Sequence, residues 1–280
     1  MAAELSYYAR KQFLANVFVD TLQQINNSPK WTEAMDYSIR NQQFIPESAT
    51  ISILDAQKAD NPAQIIVSRL RSFEAAAQYK GKRVAVLNFA SATTPGGGVE
   101  KGASAQEECL CRVSTLYPCL TEQKMWDSFY NPHRKNRNAL HNDDIIYTPN
   151  VVVIKDDDYN MLAETFMVDI ISCAAPNLRE KPNNAYNIGD GDKAQISDNE
   201  LLALHEKRAR KIFASAIDNG IEVLILGAFG CGAFCNDPHI VAQAYKNVLP
   251  EFKDYFQTIE FAVYCRPKDS TNFDAFNAIL

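Results

Sequence analysis

Two glycine-rich segments, each linking a β-type run to a helix, constrain this chain more than any other feature. The first follows Arg83-Val84-Ala85-Val86-Leu87 and occupies Asn88 to Tyr117, NFASATTPGGGVEKGASAQEECLCRVSTLY. Helical periodicity begins at Gln106-Glu107-Glu108, with Cys109, Leu110, Val113 and Leu116 as its apolar face. The second follows the short apolar run Val223 to Leu226 and reads Gly227-Ala228-Phe229-Gly230-Cys231-Gly232-Ala233-Phe234, after which Asn236-Asp237-Pro238 opens a helix to about Val248. Strands interleaved with helices, and loops at strand-to-helix junctions, predict an α/β layered domain with its ligand at the carboxyl ends of the strands.

Gly96, Gly97 and Gly98 have no side chains to pack, so they offer backbone freedom and close approach of main-chain N–H groups to a ligand. Successive N–H groups near a helix N-terminus form a site for phosphate oxygens. Two common phosphate motifs fail. Gly230-x-Gly232 is followed by Cys235 where a dinucleotide fingerprint needs a third glycine, and neither glycine block leads to GK[ST]. Glu107 and Glu108 fall in the first turn of the following helix, where the dipole stabilises acids. Neighbours on a helix diverge by roughly 100°, which predicts different jobs for the two. The usual glycosidase pair, with acids roughly 5 Å or more apart across the bond, fits adjacent helical residues poorly. One Glu can instead hold a ribose hydroxyl while the other protonates the leaving oxygen and then activates water.

GGG, seven intervening residues (Val99 to Ala105) and QEE resemble the signature of poly(ADP-ribose) glycohydrolases. Asn88-Phe89-Ala90-Ser91 with Thr94-Pro95 resembles the bacterial-type, macrodomain-related branch, and the Gly227–Phe234 block resembles that branch's second phosphate loop. The resemblance runs from about Ala49 to Leu280. It implies a macrodomain-like mixed sheet between helices at 49–280, with residues 1–48 as an N-terminal helical extension near the terminal adenosine. It further implies hydrolysis of ribose–ribose O-glycosidic bonds in poly(ADP-ribose), with ADP-ribose as product. Glu108 would be the acid that later activates water, and Glu107 would fix the ribose. Asn88 would hold the distal ribose, and Gly96, Gly97, Gly98, Val99 and Gln106 would complete the first wall of the site. Gly230, Cys231, Gly232 and Ala233 would give N–H groups to the diphosphate, with Phe234 against the ribose. No cofactor or metal is implied. Partners would be the polymer or ADP-ribosylated proteins. Removal of single ADP-ribose groups from an acceptor, and ADP-ribose binding without turnover, are the alternatives; the second has no need of both glutamates.

At 280 residues and 46% hydrophobic content, the chain can bury a sizeable core. It has no run of 18 apolar residues and no basic-then-apolar start, so a cytoplasmic protein, or a nuclear one in a eukaryote, is expected; a monomer is expected as well. Net charge −6 disfavours a general nucleic-acid surface, and an anion must be held by local groups. Seven cysteines, an odd number lying mostly in apolar segments, read as reduced thiols. Cys109-x-Cys111 and Cys231-x3-Cys235 find no histidine at metal-ligand spacing, Asp156-Asp157-Asp158 reads as a charged turn, and Gly189-Asp190-Gly191-Asp192 lacks the closing Glu of a calcium loop.

Elsewhere, periodicity predicts helices over Glu4–Asn26, Thr32 to about Gln42, Asn61–Lys80, Glu122–Phe129, Asp198–Asn219 and Asn272–Leu280. Strands are expected at Thr50–Leu54, Ile145–Tyr147, Val151–Ile154, Phe166–Cys173 and Thr258–Cys265. Phe44-Ile45-Pro46 reads as a connector, His133-Arg134-Lys135-Asn136-Arg137 as a basic loop, and Arg179–Ser197 as a polar surface loop.

Overall fold

The computed structural model describes residues 6–265 and 269–280. Helices α1 (Tyr7–Asn26) and α2 (Pro29–Asn41) open it, followed by strands β1 (Gln43–Ile45) and β2 (Gln64–Ser68), helix α3 (Ser72–Ala76) and strand β3 (Val84–Phe89). Helices α4 (Gln106–Val113), α5 (Leu116–Leu120), α6 (Gln123–Met125) and α7 (Asn131–Asn136) lead to the long strands β4 (Ile145–Lys155) and β5 (Met161–Cys173). Then come α8 (Asp198–Asp218), β6 (Val223–Leu226), α9 (Pro238–Phe252), β7 (Thr258–Ala262) and α10 (Thr271–Ile279).

Among the described residues, seven strands form one mixed sheet in the order β1-β4-β5-β3-β6-β7-β2. The five strands from β5 to β2 run parallel, while β4 and β1 are antiparallel additions at one edge. The parallel strands therefore end on one side, at Cys173, Phe89, Leu226, Ala262 and Ser68, and both glycine segments leave from that side. Alternation along the strands divides the core. Ala85, Leu87, Leu224, Leu226 and Phe261 face one layer with Ile212, Phe213, Val241 and Phe276. Val84, Val86, Val223 and Ile225 face the other, with Phe73, Leu110, Leu116 and Phe129. Each such fully buried Leu, Ile or Phe contributes roughly 1.5–3 kcal/mol. No helix among the described residues is long and apolar enough to cross a membrane.

Helix α1 is fixed by polar groups that its sequence pattern hides. Buried Lys155 donates to Asp20 Oδ2 at 2.5 Å and Thr21 Oγ1 at 2.8 Å, and buried Arg112 donates to the carbonyl of Leu14 at 3.1 Å. Ser6 caps the helix, and the expected start at Glu4-Leu5 lies outside the described residues.

Several boundaries differ from expectation. The helix expected over Asn61–Lys80 is strand β2 followed by short α3, because Ile65-Ile66-Val67 is a β-branched run that completes the sheet beside β7. Thr50–Leu54 is not a strand; Ile51 and Ile53 pack as irregular chain against the core. Phe44 and Ile45 belong to β1, paired with Ile146 and Ile145. Pro29 occupies the first turn of α2, where a missing N–H costs nothing, so that helix begins earlier than Thr32. Thr148-Pro149-Asn150 does not divide two strands but forms a bulge within β4, with Asn150 at φ 55°. The helical run at Glu122 continues through a π turn, Trp126–Tyr130, into α7, which contains most of the basic cluster. Ser197, not Asp198, caps α8, in a capping box with Glu200.

Candidate active site

A cleft of about 790 Å³ opens at the carboxyl ends of β3, β6 and β7, where Phe89, Ala228, Ala262 and Val263 form its floor. Glu107, Glu108, Gln106 and Gly97 line one wall, and Gly230, Gly232, Ala233 and Phe234 the opposite one. The two glycine segments are thus brought face to face by parallel strands that lie far apart in sequence.

The carboxylates are held differently. Glu107 Oε2 accepts the Ser91 N–H at 2.8 Å, and its Oε1 accepts Nδ2 of Asn88 at 3.3 Å. Glu108 Oε1 accepts the Gly98 N–H at 2.9 Å, while its Oε2 is buried with no protein partner. Both carboxylates nonetheless reach the same turn. A methyl placed on Gly97, which has φ 56°, would lie 2.5 Å from Glu108 Oε1 and 3.4 Å from Glu107 Oε2. The position therefore needs glycine twice over, for its left-handed backbone and for the space.

Burial dominates the acidity of the pair. Desolvation raises Glu107 to about 8, with the Glu108 charge adding to it and the Ser91 N–H and Asn88 amide opposing. Glu108 is also raised, by burial first, against the Gly98 N–H and the Arg112 charge. Glu107 so placed keeps a proton near neutral pH, burial shifts Glu108 in the same direction, and the unpartnered Glu108 Oε2 is the oxygen free to exchange a proton with a ligand.

Some expected ligand groups are engaged within the protein. Asn88 is fully buried, with its Nδ2 shared between Glu107 and Ser172 Oγ (3.0 Å) and its Oδ1 left without a protein partner. Gln106 borders the cleft, but its amide donates to Ser72 Oγ and the Leu87 carbonyl and accepts the Phe89 N–H at 2.9 Å. Its side chain pins the start of α4 to the end of β3. In the first turn, Gly97 N–H goes to Thr94 O, Val99 N–H to Gly96 O and Gly98 N–H to Glu108. That wall offers a ligand carboxylate oxygen and close backbone, in place of the expected row of free N–H groups.

The second turn is the more open one. The Cys231 N–H bonds to Ala228 O, whereas the N–H groups of Gly232, Ala233 and Phe234 have no acceptor among the described residues. Asn236 holds this turn from beneath, its Nδ2 donating to the carbonyls of Pro176 (2.7 Å) and Gly230 (3.1 Å), and its Oδ1 facing His205 Nε2 at 2.9 Å. Gly230 has φ 80°, and a methyl there would meet Ala175 Cβ at 2.6 Å. At the start of α9, Asp237 caps the helix by accepting the His239 N–H at 2.8 Å.

Cations that no motif announced border the cleft: Arg10, Lys11, Arg71 and Arg179. Arg179 Nε donates to the Ala233 carbonyl, and its guanidinium lies 5.9 Å from the Phe234 ring centre. Arg71 stacks on Tyr264 at 4.3 Å and pairs with Asp157 at 3.7 Å. Burial pushes Asp157 up to about 6, against the Arg71 charge. Lys11 Nζ donates to the Tyr186 hydroxyl at 2.8 Å. Periodicity made Lys11 and Arg71 ordinary helix residues, and only the polar, Asn-rich composition of Arg179–Ser197 marked the segment that contributes Arg179, Tyr186 and Asn187. The basic cluster around His133 stays apart from the cleft lining. His133 is buried, and Arg134 turns inward to the Thr93 carbonyl at 2.6 Å. Among the described residues, no three His, Cys, Asp or Glu side chains gather as metal ligands.

A model of the microbial-type PARG catalytic domain matches residues 19–156. No curated protein sequence matches. Solved structures do. Poly(ADP-ribose) glycohydrolase from Thermomonospora curvata is 29% identical, with 96% of this chain and 100% of that one covered and a TM-score of 0.83. Its complex with the inhibitor ADP-HPD superposes at a TM-score of 0.82, with 28% identity and the same coverage. The Deinococcus radiodurans enzyme in complex with ADP-ribose is 30% identical over 88% of this chain and 96% of that one, with a TM-score of 0.76. With Glu107 and Glu108 on one wall of the cleft and the second glycine turn on the other, this chain belongs to the microbial-type poly(ADP-ribose) glycohydrolase family.

Proposed function

We infer that the chain is a glycosidase that hydrolyses ribose–ribose O-glycosidic bonds of poly(ADP-ribose) and releases ADP-ribose. The observation that carries this reading is Glu108 itself, a residue lining the cleft whose carboxyl is buried and raised in pKa, with one oxygen held by the Gly98 N–H and the other without a protein partner. The Thermomonospora and Deinococcus enzymes, described with the inhibitor ADP-HPD and with ADP-ribose, support it.

In this mechanism the Glu108 carboxyl gives its proton to the leaving ribose oxygen as the bond from that oxygen to the anomeric carbon breaks. Positive charge develops on the sugar that keeps the anomeric carbon, next to a carboxylate that has just become anionic. The same carboxylate then takes a proton from water, whose oxygen bonds to the anomeric carbon, and the enzyme returns to its starting state. Glu107 holds the ribose hydroxyls, with Asn88 beneath it orienting the carboxylate. The diphosphate lies between the first turn, Gly96 to Val99, and the open N–H groups of Gly232, Ala233 and Phe234, with the Gly230-Cys231 backbone as their support. The Phe234 ring faces the ribose. Arg179 and the other cleft cations supply locally the positive field that the net charge of −6 withholds.

The test is release of free ADP-ribose from an automodified poly(ADP-ribose) acceptor, compared with release from singly modified acceptors. Release from polymer that disappears in Glu108→Gln supports the reading. Release from singly modified acceptors alone moves the activity to mono-ADP-ribosyl hydrolysis, and ADP-ribose binding with no release from either makes the chain a reader.

A further inference from the structure

The polar segment after Arg179 has almost no regular secondary structure, yet it is fastened at several points. Asp190 is buried, accepts Nδ2 of Asn177 at 2.6 Å and faces Nε2 of His141 at 3.3 Å. Gly191 packs on the Arg137 carbonyl, and the Gly189 N–H donates to Asn183 Oδ1 at 3.1 Å. Asn184 and Asn187 exchange main-chain hydrogen bonds across a tight turn. These attachments bring Asn187, itself 5% exposed, onto the first glycine segment. There its Oδ1 accepts the Ser91 hydroxyl at 3.0 Å.

Ser91 is the joint between that contact and the carboxylate pair. Its hydroxyl has one proton and two lone pairs. With the proton directed to Asn187, the oxygen is left facing the N–H groups of Thr94 at 3.1 Å and Thr93 at 3.4 Å, which sets the turn leading into the three glycines. The main-chain N–H of the same residue donates to Glu107 Oε2 at 2.8 Å. We infer that Asn187 is a positioning residue for the hydrolytic reaction: through Ser91 it fixes the Glu107 carboxylate and hence the ribose relative to Glu108. The inference rests on the function proposed above. The Arg179–Ser197 loop is therefore a wall of the site, built from a segment roughly 80 residues beyond the one that supplies the acids.

The experiment is steady-state hydrolysis of automodified polymer by the full chain and by Asn187→Ala, Ser91→Ala and the double variant. A misplaced ribose loses orientation more than affinity, so each single variant should lower kcat by roughly 10- to 100-fold with KM little changed. The double variant should lose no more than the worse single one, since both cut the same link. Should Asn187→Ala fail to fold, Ser91→Ala removes one oxygen from the same contact and is read in the same way. Wild-type kcat in the single variants, a rise in KM alone, or losses that add in the double variant would each overturn the positioning role. A wild-type chain that releases no ADP-ribose overturns the reaction itself, whereas wild-type turnover alongside an unimpaired Asn187→Ala overturns this inference alone.

Discussion

The main-chain N–H of Gly98 donates to one oxygen of Glu108 across 2.9 Å, and the other oxygen of that carboxylate is buried with nothing to meet. A buried polar atom left without a partner costs about 1–3 kcal/mol, which a fold retains where a ligand completes the set. The glycine turn thus orients the acid by holding one oxygen, and leaves the other unpaired within the protein.

Replacing Glu108 by Gln keeps the size of the side chain and an oxygen for the Gly98 N–H, but removes the transferable proton. Polymer hydrolysis should fall by roughly 10²-fold or more, the share expected of a general acid. ADP-ribose binding, read by calorimetry, should persist. Turnover at the wild-type rate would remove Glu108 from the mechanism.

Glu107 makes a prediction about stability and pH. Its carboxyl is raised from an ordinary 4.5 to about 8 in the folded chain, mainly by desolvation. Between those values the folded state holds a proton that the unfolded state has lost, so this group's contribution is fully present below about 4.5 and is lost as pH rises through 8. Glu107→Gln lacks that dependence. Its melting temperature relative to wild type should therefore climb between pH 5 and pH 8.5, by at least roughly 2–4 °C, the shift that about 1 kcal/mol gives in a chain of this size. A constant gap across that range would show that Glu107 is not the group held protonated.

How far the sequence carries the reader depends on whether a feature is local. The glycine turns and the Gln-Glu-Glu helix start are short-range patterns, and the cleft that unites them follows from parallel strands ending on one side. Asn61–Lys80 has a helical pattern in the sequence because Ile65, Ile66 and Val67 suit either a helix face or a buried strand, and only pairing with Ile259, Glu260 and Phe261 decides between them. Arg71 and Tyr264 stack although they lie at opposite ends of the domain, and nothing in either local pattern reports the other. Gln106 shows the reverse relation. Its place in the motif points to a ligand contact and it does border the cleft, yet both amide protons and one lone pair of its oxygen are used in tying α4 to β3 and Ser72.

The first turn should be sensitive to a single carbon. Gly97→Ala adds a methyl 2.5 Å from Glu108 Oε1, at a residue whose φ of 56° already disfavours any side chain. The left-handed conformation alone costs roughly 1–2 kcal/mol of stability. The carboxylate must also move, so polymer hydrolysis should fall by at least about tenfold, beyond what the lost stability explains. Full activity at a temperature where the variant remains folded would mean that Glu108 tolerates displacement, and that the close approach at Gly97 is incidental.

On the opposite wall, Asn236 should matter more than its distance from the acids suggests. Its amide bridges the Pro176 and Gly230 carbonyls, and its oxygen faces His205, whose pKa burial pushes down to about 4. Neutral His205 can then donate its single ring proton to Asn236. Asn236→Ala leaves these buried groups unpaired, at a cost of about 1–3 kcal/mol in chemical denaturation. Because the Gly230–Phe234 turn loses its support, ADP-ribose affinity should drop by roughly tenfold, the equivalent of about 1.4 kcal/mol. Asn236→Asp offers the His205 proton an acceptor but presents an anion to the two carbonyls, and it should not restore affinity. Restoration by Asp would show that the His205 contact, and not the bridge to Pro176 and Gly230, keeps the open N–H groups of Gly232 to Phe234 in place.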